Sequence, residues 1–426
     1  MAHPSGRRWI VPLLALLVLG QCSAQAMANT VTPRSRATAD ERSIDVGYTG
    51  TAWGTYAFVG NNVKSGKSAV SSLGCRSVAG THHENTVTSV FSKDLLETGV
   101  IDTTADALAQ GNTQTAKTTA DVHDIVLLQG VITGSEITAV SATSHDDSGF
   151  STSSEGSSVV DLDVNGQHFN GTVDPNTKID LPGIGYVVLN EQSSFIGRRK
   201  AGLTVNMIHV VVTAGGGQFK KGTQVFVAHA ESGLRTQIAG VLDGRAYGTR
   251  MNVDDKVVSG PSALVGLGCF GTGGRLRTNE VDSVSVPPAF DVGTVVDTAQ
   301  GTVKKDAATG ETTSEVQLVD VAQGVITADL VKADAHAFTD GTTFSFGDDG
   351  TQFVNLYVNG QPFGDNVPPN TMVDLPGLGT LWLRREIERK HSIEIRMIEL
   401  IVTQDNPQGL PIGADIRVAV AEASAH

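Results

Sequence analysis

VNGQHFNGTVDPNTKIDLPGIG, running from Val164 to Gly185, returns as VNGQPFGDNVPPNTMVDLPGLG, from Val358 to Gly379, with 14 of 22 positions identical. The residues kept are those a turn or a strand demands. Asn165-Gly166 and Asn359-Gly360 supply the two positive φ angles of a type I′ hairpin. Pro182-Gly183 and Pro376-Gly377 suit a type II turn, with proline fixing the first central φ and glycine accepting the second. Just upstream, Val160, Leu162 and Val164 alternate with Asp161, Asp163 and Asn165, the period of a strand with one wet face. Val354, Leu356 and Val358 alternate in the same way with Asn355, Tyr357 and Asn359. A motif whose shared part is turn chemistry and alternation reads as scaffold written twice, not as a doubled active site.

Working outward, the repeat covers nearly the whole chain. AWGT (Ala52 to Thr55) returns as AYGT (Ala246 to Thr249), and SLGC ending at Cys75 returns as GLGC ending at Cys269, each 194 residues on. QGVIT recurs at Gln129 and Gln323 with the same offset. LTVNMIHVVVT (Leu203 to Thr213) then matches IEIRMIELIVT (Ile393 to Thr403) at an offset of 190, so four residues are missing from the second copy of the polar stretch EQSSFIGRRKA. Loops tolerate such deletions. The units are placed at 43–233 and 238–424, joined through LRTQIAG (Leu234 to Gly240). A joint this short implies contact between them, since a flexible linker is longer and richer in Gly and Ser. Helical periodicity is scarce; SKDLLETG (Ser92 to Gly99) offers one or two turns, but its counterpart carries two prolines. The expectation is an all-β protein of two homologous antiparallel β-sandwich-like units in tandem, with a β-solenoid as the alternative.

Composition bounds the setting. Arg7 and Arg8, the apolar run WIVPLLALLVLG and small residues up to Ala26 read as a signal peptide over 1–26, with a flexible segment over 27–42. Removing two Arg takes the formal charge from -14 to -16. Such a chain has no electrostatic footprint for nucleic acid, and no membrane insertion is expected after signal cleavage. The expected location is extracellular, either secreted free or associated with the cell wall, with an envelope or extracellular component as the partner. Once Cys22 leaves with the signal, Cys75 and Cys269 remain, at the same position in the two copies. Outside the cytoplasm an even pair of thiols oxidises, so a Cys75–Cys269 disulfide across the repeat interface is expected; two separate buried thiols are the alternative.

The runs PNTKIDLPGIGYVVLNEQ, LTVNMIHVVVT and GTQVFVAHAESG, with their second copies PNTMVDLPGLGTLWL, IEIRMIELIVT and GADIRVAVAEAS, resemble the choice-of-anchor P family of secreted Gram-positive proteins. That resemblance implies exported modules without an established catalytic activity. The chain departs from the pattern in lacking a recognisable C-terminal anchor. It also replaces LNEQ (Leu189 to Gln192) with LRRE (Leu383 to Glu386), so any role of Asn190, Glu191 and Gln192 is not shared by both units.

Other chemistry is weak. DLDVNG (Asp161 to Gly166) imitates half a calcium loop, but Thr172 stands where a glutamate is needed. SHDDSG (Ser144 to Gly149) and FGDDGT (Phe346 to Thr351) read as solvated acidic loops. His82-His83-Glu84 lacks zinc spacing. His209 and its counterpart Glu399 read as polar residues at a strand rim. Trp53 and Tyr247 read as core or edge packing, and with Trp382 opposite Val188 no recurring aromatic platform emerges. No catalytic, cofactor-binding or metal residues are assigned. The expected function is a non-catalytic structural or adhesive role at or near the cell envelope. The alternatives are a ligand-binding module using HDDSGFSTSSEG (His145 to Gly156) and EQSSFIGRRK (Glu191 to Lys200), and, more remotely, a secreted hydrolase.

Overall fold

Each Asn-Gly dipeptide closes a two-residue hairpin: Val164 pairs with Gln167 across Asn165 (φ 49°) and Gly166 (φ 83°), and Val358 pairs with Gln361 across Asn359 (φ 52°) and Gly360 (φ 70°). Each Leu-Pro-Gly closes a turn in which the fourth residue donates to the first, Ile184 N to Leu181 O at 2.9 Å and Leu378 N to Leu375 O at 3.0 Å. Gly183 and Gly377 take φ of 76° and 77°, the second central position of a type II turn. These observations come from a computed structural model, which describes residues 46–60, 62–214, 219–254 and 256–426. The expected signal peptide (1–26), the segment 27–42 and the first residues of the first unit lie outside them.

The protein is all-β and antiparallel. A seven-stranded sheet runs in the order Thr177–Leu181, Gly185–Ile196, Lys200–Val212, Thr223–Thr236, Val46–Val59, Asn62–Ser65, with Ser71–Ser72 added beside Val46–Val59. Its twin runs Thr371–Leu375, Gly379–Arg389, Ser392–Val402, Ala414–Ala425, Leu242–Val253, Lys256–Ser259, with Val265–Gly266 in the matching place. In both, the first strand of the repeat pairs with the last, Val46–Val59 with Thr223–Thr236 and Leu242–Val253 with Ala414–Ala425. Each repeat is thereby closed on itself.

Against the first seven-stranded sheet packs a nine-stranded one built around Ile101–Gln110, Thr113–Leu127 and Ile132–Asp146; a ten-stranded sheet around Val295–Val303, Ala308–Val321 and Ile326–Thr339 packs against the second. Val205, Ile208, Val225 and Val227 from one sheet join Ile101, Val122 and Ile137 from the other in a single core. Ile395, Ile398, Ile416 and Val418 join Val295, Val316 and Val331 in the second. These are sandwich-like units, without the closure of a barrel or solenoid. The glycine repeated in AWGT and AYGT is explained by this packing: a Cβ on Gly54 would stand 2.3 Å from Ile101 Cγ2, and one on Gly248 would stand 2.1 Å from Val295 Cγ1.

Two local expectations need correction. Asp161 and Asn355 adopt positive φ (49° and 53°), which inserts a bulge and shifts the alternation by one. Val159 and Phe353 therefore face the core, with Leu162 and Leu356, while Val160 and Val354 are only half-buried. SKDLLETG forms no helix; it is a hairpin of Val90–Ser92 and Leu96–Thr98.

Cys75 and Cys269 are joined by a disulfide, with an S–S distance of 2.03 Å. Around it the repeats touch. Ile238, Val241 and Phe270 crowd Gly47, and the Arg235 guanidinium lies 5.2 Å from the centre of the Phe270 ring. No helix among the described residues is long and apolar enough to cross a membrane.

Candidate functional site

The two seven-stranded sheets have matching strand order and register, so their outward faces can be compared row by row. In the first repeat one cross-strand row reads Val188, His209, Phe226, Tyr56, and the next reads Glu191, Asn206, His229, Trp53. In the second the same rows read Trp382, Glu399, Arg417, Arg250, and Arg385, Arg396, Val420, Tyr247. The backbone is held constant while the chemistry is exchanged.

On the first face the rings pack against each other. Trp53 and His229 stack at 4.3 Å and 9°, and His209 and Phe226 at 4.0 Å and 15°. Tyr56 and Phe58 complete the cluster, and Lys67 Nζ lies 5.3 Å from the Trp53 ring centre. Each such ring pair is worth about 0.5–1.5 kcal/mol beyond its buried area. A hydrogen-bonded chain ties the two stacks together. His229 Nδ1 donates to Asn206 Oδ1 (2.6 Å), Asn206 Nδ2 donates to Glu191 Oε2 (2.8 Å), and Glu191 accepts from His209 Nδ1 (3.0 Å). The His209 bond, aided by Asn206, holds the Glu191 carboxyl below its usual range against the opposing effect of burial. Burial, with Lys67 adding repulsion, brings the His229 imidazole down to about 4. Trp53 is 4% exposed and its Nε1 is buried without a partner.

The second face is a charge lattice. Glu399, 1% exposed, accepts from Arg385 and Arg396 and lies 3.4 Å from Arg417 Nε. Arg396 Nε also donates to Glu394 (2.7 Å), Arg417 binds Asp415, and Arg385 lies 4.9 Å from the centre of the Trp382 ring. Burial works against the charge of Arg396, but Glu394 and Glu399 outweigh it and its pKa rises. Removing one member of such a buried network typically costs about 3–5 kcal/mol, because the others are left uncompensated.

Beneath the sheets the repeats differ again. Thr103 Oγ1 bonds Ser71 Oγ at 2.8 Å in the first core. The counterparts in the second are Asp297 and Val265, and both Asp297 carboxyl oxygens are buried without a hydrogen-bond partner. Burial pushes this carboxyl up to about 8. Ser314 and the Gly248 amide temper that rise from nearby, but Ser314 Oγ donates instead to Tyr247 O (3.1 Å).

The LNEQ-to-LRRE exchange is also resolved. Asn190 (φ 48°) and Arg384 (φ 46°) hold the same bulge and reach the same carbonyl, Asn190 Nδ2 to Val173 O at 2.6 Å and Arg384 Nη1 to Val367 O at 3.4 Å. Arg384 also pairs with Asp348 (2.7 Å), so that carboxylate of FGDDGT is an internal partner and not simply a solvated loop residue. Arg384 lines a cleft of about 260 Å³ with Thr351, Gln352, Phe353, Asp365 and Asn366. In SHDDSG, Asp146 accepts from Ser148 N and Asp147 from Asn112 Nδ2.

The other singled-out residues are scattered. His82, His83 and Glu84 are exposed on Thr81–Val87, with His82 Nδ1 2.6 Å from Asp106 Oδ1. Among the described residues no group of three or more His, Cys, Asp or Glu is placed to hold a metal. His209 is not at a strand rim, since its strand lies between two others and its ring is central to the outer face. Trp53 and Tyr247 are packing residues as expected, 4% and 2% exposed, the first within the aromatic cluster and the second in the row of Arg385 and Arg396. An imidazole oriented by a carboxylate suits acid–base chemistry, but both nitrogens of His209 are engaged, Nε2 by Gln224 Oε1 at 3.0 Å. It offers no nitrogen to a substrate.

No protein-family model matches the chain, and no curated protein matches it.

Proposed function

We propose that this is a secreted, non-catalytic β-repeat protein with a structural or adhesive role at or near the cell envelope, acting as a rigid pair of sandwiches that displays two chemically distinct faces. The observation that carries this reading is the pair of matched seven-stranded sheets with divergent outer rows, rings and imidazoles on one and guanidinium–carboxylate pairs on the other. Selection for a fold alone needs no such exchange. Selection for two contact surfaces on one scaffold does. The disulfide fits an oxidising compartment, and the resemblance to the choice-of-anchor P family points the same way.

Fractionation of cells into cytoplasm, envelope and medium tests the placement, with alkylation under non-reducing conditions reporting the thiols. The expected result is envelope or medium, with neither Cys75 nor Cys269 alkylated. A cytoplasmic protein with both thiols reactive would overturn the reading. A ligand-binding module is the second reading, favoured by the polar cleft at Arg384.

A further inference from the structure

The turn at the end of the hairpin Gly185–Ile196/Lys200–Val212 stands out in an acidic protein. Its flanking strand Thr177–Leu181 pairs only as far as Leu189, so Ser193 to Ile196 form an open sheet edge. There Phe195 and Ile196 are 52% and 60% exposed. Arg198, Arg199 and Lys200 follow at once, all exposed, and Gly197 N donates to Lys200 O (2.8 Å) to shape the turn. One side of the Phe195 ring rests where a Gly202 side chain would be, and Lys200 Nζ lies 5.5 Å from its centre.

A second basic turn meets the first. Thr236 N donates to Arg199 O, Arg235 Nη2 to Val303 O (3.0 Å), and Ala239 N to Lys304 O (2.8 Å). Lys304 and Lys305, both exposed, are thereby brought to the same end of the molecule as Arg198, Arg199 and Lys200. Six of the chain's 31 Lys and Arg meet here, against Asp306 and Asp340 on the same loops. The second repeat keeps Arg389 and Lys390, exposed at the positions of Arg199 and Lys200, but lacks the exposed apolar pair. Its hairpin is four residues shorter, and His391 packs edge-on against Phe344 at 4.4 Å.

We infer that this hairpin end is a peripheral docking site for an anionic phospholipid surface, with Phe195 and Ile196 entering the interface and the surrounding cations contacting phosphates. Cations alone would serve any polyanion. Two exposed apolar side chains at the last two strand positions before a basic turn fit a bilayer, where phosphates and acyl chains lie within a few ångströms of each other. Net negative charge does not forbid this, because at about 0.1 M salt charges more than about 10 Å away are largely screened and the local cluster governs contact. The site would retain the protein at a surface without a covalent anchor. This rests on the extracellular placement proposed above, but it is tested on purified protein, so its failure is separate from that of the fractionation.

The test is cosedimentation of the purified, disulfide-bonded chain with vesicles of phosphatidylglycerol and phosphatidylcholine, or of phosphatidylcholine alone. Binding is expected only to the anionic vesicles, and it should weaken with salt. Losing a cation should lower partitioning about five-fold, the equivalent of about 1 kcal/mol per basic residue near such a surface. R198E/R199E should therefore abolish binding, and F195S/I196S should reduce it at least ten-fold with the unfolding midpoint unchanged. F195W supplies an independent readout, a blue-shifted emission on anionic vesicles. The inference is overturned if neutral and anionic vesicles bind alike, or if F195S/I196S binds as wild type and F195W emission does not move. It is also overturned if soluble polyphosphate captures wild type and F195S/I196S alike while vesicles capture neither, which would make the end a general polyanion site.

Discussion

Tyr56, Phe226 and His209 occupy one row of the first seven-stranded sheet, and Arg250, Arg417 and Glu399 occupy the same row of the second. Both triplets stand on the outer side of strands whose inner residues are aliphatic in both repeats. Core positions on this scaffold tolerate little change because each is fixed by volume against a facing sheet. Outer positions are restrained only by their cross-strand neighbours, so they change as a set. A lone Glu399→His would strand Arg385 and Arg396, just as a lone His209→Glu would set a second carboxylate beside Glu191. The two faces teach that the unit of change is the row, not the residue.

The comparison is broken most severely at the bond that joins the repeats. Cys75→Ser/Cys269→Ser removes a crosslink spanning 194 residues, and loop entropy assigns about 5 kcal/mol to a closure of this length. Urea unfolding of this variant should show a large fall in midpoint and separation of the two repeats into distinct transitions. A single unchanged transition would mean that noncovalent contacts alone couple them.

Next come opposite responses to pH. The folded Asp297 carboxyl sits at about 8, above an unfolded value near 3.9. Its contribution is fully present below about pH 4 and is lost as pH rises through 8, an effect of up to about 6 kcal/mol. The His229 imidazole is depressed to about 4, so its contribution is present above about pH 6.5 and is lost as pH falls through 4, amounting to about 3 kcal/mol at most. His426, at the junction and likewise held down to about 4 by burial, adds to the acid limb. D297T/V265S, which recreates the Thr103–Ser71 pair, should flatten the alkaline limb of a melting-temperature profile. His229→Phe, which keeps a ring against Trp53, should shallow the acid limb only.

Smaller again is the contrast between the faces themselves. Glu399→Gln should cost about 3–4 kcal/mol by leaving buried guanidiniums uncompensated, whereas His209→Gln should cost about 1–2 kcal/mol, the loss of a ring stack and a hydrogen bond. Equal losses in chemical denaturation would show that the charge lattice is no more tightly interlocked than the ring cluster. Smallest of all, Asn165→Ala and Asn359→Ala each place an ordinary residue at positive φ and should each cost about 1 kcal/mol. A marked difference between these two would break the equivalence of the hairpins.

Much of this architecture is legible in the sequence because turns and alternation are local. Asn-Gly and Leu-Pro-Gly act through the φ angles of adjacent residues, so they announce hairpins without knowledge of anything distant. The 194-residue offset of Cys75 and Cys269 likewise needs only counting. Bulges are less legible: Asp124 and Leu318 adopt positive φ at matched positions inside paired strands, and a leucine there gives no hint of it. Such a bulge reverses which residues face inward, and that is how Val159 displaced Val160 from the core.

The sequence by itself determined the strands, their turns and the duplication, since these follow from backbone preference and a repeat that can be read by eye. Only the tertiary structure decided that Trp53, Tyr56, His209, Phe226 and His229 form one face, and that Phe195 to Lys200 meets Lys304 and Lys305. Those neighbours come from strands paired across more than a hundred residues and from hairpin ends brought together at the repeat junction. Pairing of that kind is set by the summed packing of whole sheets, to which no short stretch of sequence contributes enough to be read alone.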